Sequence, residues 1–98
     1  MTITKTLNGT SLYLVLGGRL DTKSAPDLYE EINNSIDQVD NLELDMADLK
    51  YISSAGLRVL LTTQKEMNKK GTMVVKNVGP DVGYIFEVTG FDNFLTIE

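Results

Sequence analysis

The apolar residues of this 98-residue chain repeatedly change period, and the order of those changes restricts the fold more than any other property. Ile3 to Leu7 alternates, and Asn8-Gly9 then supplies a two-residue turn with the positive φ that a type I′ hairpin needs. Ser11 to Leu16 follows, so the chain is expected to open on a β-hairpin. The second strand is apolar on both faces between Leu12 and Leu16, which predicts cover on both sides, whereas the first strand reads as a sheet edge. Gly17-Gly18 is expected to end the second strand.

From Ser24 the spacing becomes helical, with Ala25, Leu28, Ile32, Ile36 and Val39 on one face and Glu30, Glu31, Asn33, Asn34 and Asp37 off it. A helix over 24–38 is predicted, capped by Ser24, with Asp27 in a weak capping box and Pro26 in the first turn. Asn41 to Met46 alternates as a third strand, and 47–52 reads as a connection. A second helix begins at Ser53-Ser54 and turns Leu57, Leu60, Leu61, Gln64 and Met67 inward. It ends in a cationic turn, Lys69-Lys70, with Gly71 as a C-cap. Then come a strand at Thr72 to Lys76, a Gly79-Pro80 breaker, a short helix from Asp81 to Val88 and a last strand near Phe94 to Ile97.

The resulting order, ββαβαβαβ, predicts a single α/β domain over 1–98, its mostly parallel sheet opened by an antiparallel hairpin and packed with helices. A chain that is 42% hydrophobic has enough apolar surface for one core. In sheets of this kind, function gathers at the carboxyl ends of strands, where the next helix begins.

Cysteine and histidine are both absent, which removes thiolate nucleophiles, imidazole bases, disulfides and the zinc sites built on those ligands. Most catalytic repertoires are thereby closed, and no metal or cofactor is expected. Nine basic residues against fourteen acidic ones give a net charge of −5, unfavourable for tracking nucleic-acid phosphates. The polar, alternating N-terminus has no signal-peptide pattern, and no later run is long enough to span a bilayer. The expectation is a complete cytoplasmic chain with no nucleic-acid partner and no membrane insertion.

Against that background the segment YISSAGLRVLL, residues 51–61, is the strongest candidate site. Serine is favoured at an N-cap because its oxygen accepts a hydrogen bond from an orphan backbone N–H. A helix start also favours an anion, so a phosphoryl group on one of these serines would be locally tolerated. Gly56, costly in a first turn, signals that something approaches the backbone closely. Local physics does not divide the roles of Ser53 and Ser54. A second candidate is the acid pair Asp45 and Asp48, read either as a phosphoryl acceptor or Mg²⁺ site, or as a solvated turn. Gly17-Gly18-Arg19-Leu20-Asp21-Thr22 is turn chemistry in which Asp21 or Thr22 helps to cap a helix, or else a polar loop beside the serines. No Gly-rich nucleotide-binding loop is present. Most of Tyr51, Tyr84, Phe86, Phe91 and Phe94 are expected to pack in or against the core.

Taken together, Gly18-Arg19-Leu20-Asp21, Leu44-Asp45-Met46, Leu49 and Ile52-Ser53-Ser54-Ala55-Gly56-Leu57 resemble the STAS family of bacterial anti-sigma factor antagonists and their relatives. The likeness runs through nearly the whole chain, and the serine segment is its most specific part. It implies a partner switch: the unphosphorylated form binds a serine-kinase anti-sigma factor and frees sigma factor, that kinase phosphorylates the antagonist, and a serine phosphatase resets it. Aligning on Gly56-Leu57 puts Ser54 at the phosphoacceptor and Ser53 where the family commonly has aspartate, so Ser53 becomes a second possible acceptor. The resemblance further implies a kinase-facing surface of Asp21 and Thr22 with the start of the serine helix: Ser53, Ser54, Ala55, Gly56 and Arg58. Its alternative is a STAS subunit of a lipid-transport, secretion or signalling assembly that never meets a sigma factor.

Overall fold

The computed structural model describes residues 1–98, and its element order follows the period changes of the sequence. Strand β1 (Thr2–Asn8) pairs antiparallel with β2 (Ser11–Leu20); helix α1 (Ala25–Asn33) and a 3₁₀ turn at Ile36–Gln38 lead to β3 (Asn41–Ile52). Helix α2 (Ser54–Asn68), β4 (Thr72–Lys76), helix α3 (Pro80–Thr89) and a 3₁₀ turn at Phe91–Asn93 complete the chain. The sheet order is β1-β2-β3-β4, with β2-β3 and β3-β4 parallel and joined by crossovers through α1 and α2.

One hydrophobic cluster of 22 buried residues lies between the sheet and the helices. Leu12, Leu14 and Leu16 of β2, Leu42, Leu44 and Met46 of β3, and Met73 and Val75 of β4 point into it. They meet Leu28 and Ile32 of α1, Leu57, Leu60 and Met67 of α2, and Val82 and Phe86 of α3. All three helices therefore cover the same face. The expectation that β2 is covered on both sides is corrected: Tyr13 and Val15, on its other face, are each 38% exposed. They lie in two rows across the open face, Thr6-Tyr13-Glu43-Val74 and Thr4-Val15-Asp45-Lys76. There the Lys76 ammonium meets Glu43 at 2.9 Å, and that hydrogen-bonded pair raises the lysine pKa. Apolar residues on both faces did not distinguish a buried face from one softened by Tyr and Val.

The hairpin turn falls one residue later than predicted. Asn8 pairs with Ser11, so its central residues are Gly9 and Thr10, and only Gly9 has positive φ, at 63°, as in a type II′ turn. Nor do Gly17-Gly18 end β2, or 47–52 form a connection. Both strands continue to Leu20 and Ile52, with register shifts between Val15 and Gly17 and between Gly18 and Arg19. These irregularities break the two-residue period and let Met46, Leu49 and Ile52, three apart, all reach the core.

The first helix stops at Asn33, short of residue 38, because Asn33 and Asn34 are poor helix formers; Ile36 is only partly buried. The Lys70 ammonium reaches from the end of α2 to the Ile36 carbonyl. Gly71 is not a left-handed C-cap: a β-carbon there would lie 1.8 Å from the Asp40 carbonyl oxygen, so close approach is what demands glycine. Within α2, Leu61 is half-buried while Val59 and Thr63 are buried in its place. The expected last strand is a single bridge, Val75 to Ile97. Phe86 is buried, but Tyr84 at 66% and Phe94 at 62% exposure do not pack as expected.

Candidate functional site

The carboxyl ends of β2 and β3 converge where α1 and α2 begin. Leu20 and Ile52 are paired there and buried, and the Ser53 N–H donates to the Leu20 carbonyl oxygen at 2.8 Å. This ties the entry of α2 to the end of β2. The Ser53 hydroxyl oxygen accepts the Gly56 N–H at 3.3 Å, and its backbone is extended, so Ser53 is the N-cap of α2. Ser54 is the first residue of the helix, and its side chain is exposed.

Gly56 is buried, and a β-carbon on it would stand 2.7 Å from Leu20 Cγ and 2.9 Å from Ile52 Cγ1. What approaches this backbone is the protein's own core. Glycine therefore lets the first turn of α2 sit directly on the two strand ends, which fixes the height at which Ser54 leaves the surface. Of the residues expected to form a partner surface, Gly56 lies beneath it and Ala55 is half-buried, while Thr22, Ser54 and Arg58 are exposed.

The turn between β2 and α1 is organised by Asp21. Its Oδ1 accepts the N–H groups of Lys23 and Ser24, each at 3.1 Å, and also the Ser24 hydroxyl at 3.1 Å. The Ser24 oxygen in turn accepts the Asp21 N–H at 2.9 Å and lies 2.9 Å from the Arg19 carbonyl oxygen. These contacts replace the cap expected of Ser24, whose side chain makes no hydrogen bond to the helix. The Ser24 N–H foremost, then its hydroxyl, the Lys23 N–H and the Arg19 charge, outweigh desolvation and hold the Asp21 carboxyl below its ordinary value. Arg19 itself lies over the ring of Tyr51, 4.3 Å from the centroid, on paired positions of β2 and β3.

Between α1 and α2 runs an open groove of about 640 Å³. Thr22, Ala25 and Tyr29 line one wall; Ser54, Arg58 and Thr62 line the other. Its far end adjoins a second hollow bordered by Asp37 and Glu66. Tyr29 and Thr62, shared by both hollows, were not singled out from the sequence. The available signal was an aromatic side chain, 45% exposed, lying off the apolar stripe of an amphipathic helix.

The second candidate, Asp45 and Asp48, lies elsewhere. Asp45 is on the open sheet face, where Oδ1 accepts the Ala47 N–H at 3.0 Å and Oδ2 accepts Asn77 Nδ2 at 3.1 Å. Both oxygens are engaged in ordering the strand end. No group of three or more Asp, Glu, His or Cys side chains is assembled closely enough to hold a metal ion, and no helix is long and apolar enough to cross a membrane.

The family model of the STAS domain matches residues 2–98. BtrV of Bordetella bronchiseptica, provisionally named an anti-sigma factor antagonist, is 35% identical over 82% of this chain and 71% of its own length. The anti-sigma-B factor antagonist of Bacillus subtilis is 28% identical over 92% of this chain and 84% of its own. Among solved structures, SpoIIAA, an anti-sigma factor antagonist, superposes in its unphosphorylated form with a TM-score of 0.85 at 18% identity, covering 99% of this chain and 88% of that one. The phosphorylated form of SpoIIAA, described as a Bacillus cell fate determinant, gives 0.78 at 17% identity, covering 99% and 91%. At such identities the superpositions speak for the fold, while the family model and the relative at 35% speak for descent. The chain belongs to the STAS domain family of anti-sigma factor antagonists.

Proposed function

We propose that this chain acts by partner switching: unphosphorylated, it binds a serine-kinase anti-sigma factor and releases sigma factor, and phosphorylation of Ser54 ends that binding. The observation that carries the reading is the division of labour between the two serines. The Ser53 hydroxyl is engaged in capping α2, whereas the Ser54 hydroxyl stands exposed on the groove rim. The names of the relatives support an anti-sigma factor as the partner.

In the transfer itself the Ser54 oxygen forms the new O–P bond, its proton passes to a base of the kinase, and ADP leaves. This chain supplies the hydroxyl and is substrate and ligand rather than catalyst. A phosphoserine adds about −1.5 to −2 charges at pH 7. At a helix start that charge leaves the fold intact, but in an interface it has to be desolvated against the partner. A penalty of about 2.7 kcal/mol weakens binding about a hundredfold. A serine phosphatase would restore the starting form, and the partner surface would comprise Asp21, Thr22, Ser53, Ser54, Ala55 and Arg58.

The test is to capture the partner kinase from the source cell with the unmodified protein and with Ser54→Asp, then incubate the captured kinase with the protein and ATP. The expected result is capture by the first form only and one phosphoryl group at Ser54 by tandem mass spectrometry. Modification confined to Ser53, or none by an active kinase, overturns the assignment. Capture of transport subunits alone would favour the non-sigma assembly.

A further inference from the structure

We infer that Arg58 is the internal counter-ion for a phosphoryl group on Ser54, so that phosphorylation withdraws a cation from the groove rim as well as adding an anion to it. The inference rests on the reading of Ser54 as the phosphoacceptor and concerns what the phosphate does once it is there.

Ser54 and Arg58 are four residues apart on α2, and both line the groove between α1 and α2. Positions i and i+4 of a helix stand about 5–6 Å apart at their β-carbons. Helical side chains lean toward the N-terminus, so a long side chain at 58 lies over the turn that carries residue 54. The acid-first order is also the favourable one for such a pair. A planar guanidinium matches phosphate oxygens in a way that an ammonium does not.

Arg58 is free for this role. The molecule's three ion pairs are Lys5–Glu31, Lys69–Glu66 and Lys76–Glu43, none of which involves an arginine. No acid stands three or four positions from Arg58 on α2, where the neighbours are Ser54, Ala55, Leu61 and Thr62. Arg19, a cation at the end of β2, is stacked on Tyr51. Unphosphorylated, the α2 wall of the groove thus presents one unpaired guanidinium to a partner. Phosphorylated, it presents a neutralised pair with residual negative charge. The spacing also separates the two serines, since residue 53 is five positions from Arg58 and off its face.

The experiment uses full-length protein synthesised with phosphoserine encoded at position 54, and ³¹P NMR titration of its second phosphate ionisation. With Arg58 present, that pKa is expected to lie about 0.3 unit below its value in Arg58→Gln. Arg58→Lys should recover part of the difference, and 1 M NaCl should erase most of it. Arg19→Gln should leave the value unmoved, as should Arg58→Gln in a protein carrying phosphoserine at 53 instead. Equal pKa values with and without Arg58, in proteins of unchanged circular dichroism, overturn the inference. Because the phosphate is installed during synthesis, that failure is separate from a kinase that ignores Ser54, which would sink the switch and leave the ion pair measured.

Discussion

Gly56 of α2 and Leu20 of β2 touch so closely that a β-carbon on the glycine would lie 2.7 Å from the leucine Cγ. The first turn of the helix thus rests on the end of the strand with no side chain between them. A change at Gly56 therefore acts on the core and on the platform of Ser54 together. Gly56→Ala gains helix propensity of up to about 1 kcal/mol but overpacks Leu20 and Ile52 at a cost of about 1–3 kcal/mol. Urea denaturation should show net destabilisation. If Gly56→Ala proves more stable than the parent, the contact is softer than described.

Ser53 and Ser54 should separate in stability measurements as they do in geometry. Ser53→Ala removes the oxygen that accepts the Gly56 N–H and should cost about 1 kcal/mol. Ser54→Ala, at an exposed first position, should stay within about 0.5 kcal/mol of the parent. Thermal unfolding of the two variants side by side checks this, and equal losses would contradict the assignment of Ser53 as the cap.

Asp21 should make the fold sensitive to acid. Its folded pKa is depressed by the Ser24 and Lys23 donors, so the native state holds the ionised form more tightly than the unfolded chain does. The resulting stabilisation is complete above the ordinary value of 3.8 and disappears as pH falls through the lower folded value. The parent should exceed Asp21→Ala in stability at pH 6, and the gap should narrow below about pH 4. Urea titrations at pH 6, 4 and 3 measure it. A gap unchanged down to pH 3 would show that the carboxylate charge contributes nothing.

Period changes alone made the element order legible, because helix and strand bury one face at spacings that cannot be confused over ten residues. Where pairing was irregular, the same reading failed. At 17–20 and 47–52 the strands continue through register shifts, and the alternation that marks a strand is lost although the backbone hydrogen bonds persist. Gly71 shows a related limit: its position after a helix suggested a left-handed cap, while the actual constraint is the Asp40 carbonyl, thirty-one residues away in sequence.

At the candidate site, the sequence singled out the double serine, Asp21 and Thr22 as expectations, because a capped helix start after a strand has a local signature. It left Ser53 and Ser54 equivalent in local terms, since either hydroxyl could cap and either could accept a phosphoryl group. The Gly56-Leu57 register of the resemblance pointed to Ser54 as the acceptor, and the packed structure separates the two hydroxyls physically. The contact of Gly56 with Leu20 and Ile52 sets the rotation and height of α2, which directs the Ser53 oxygen to the Gly56 N–H and leaves the Ser54 side chain on the groove rim. The groove itself was invisible in the sequence. It is formed between α1 and α2, and Tyr29 and Arg58 come to line it together only once both helices lie on one sheet.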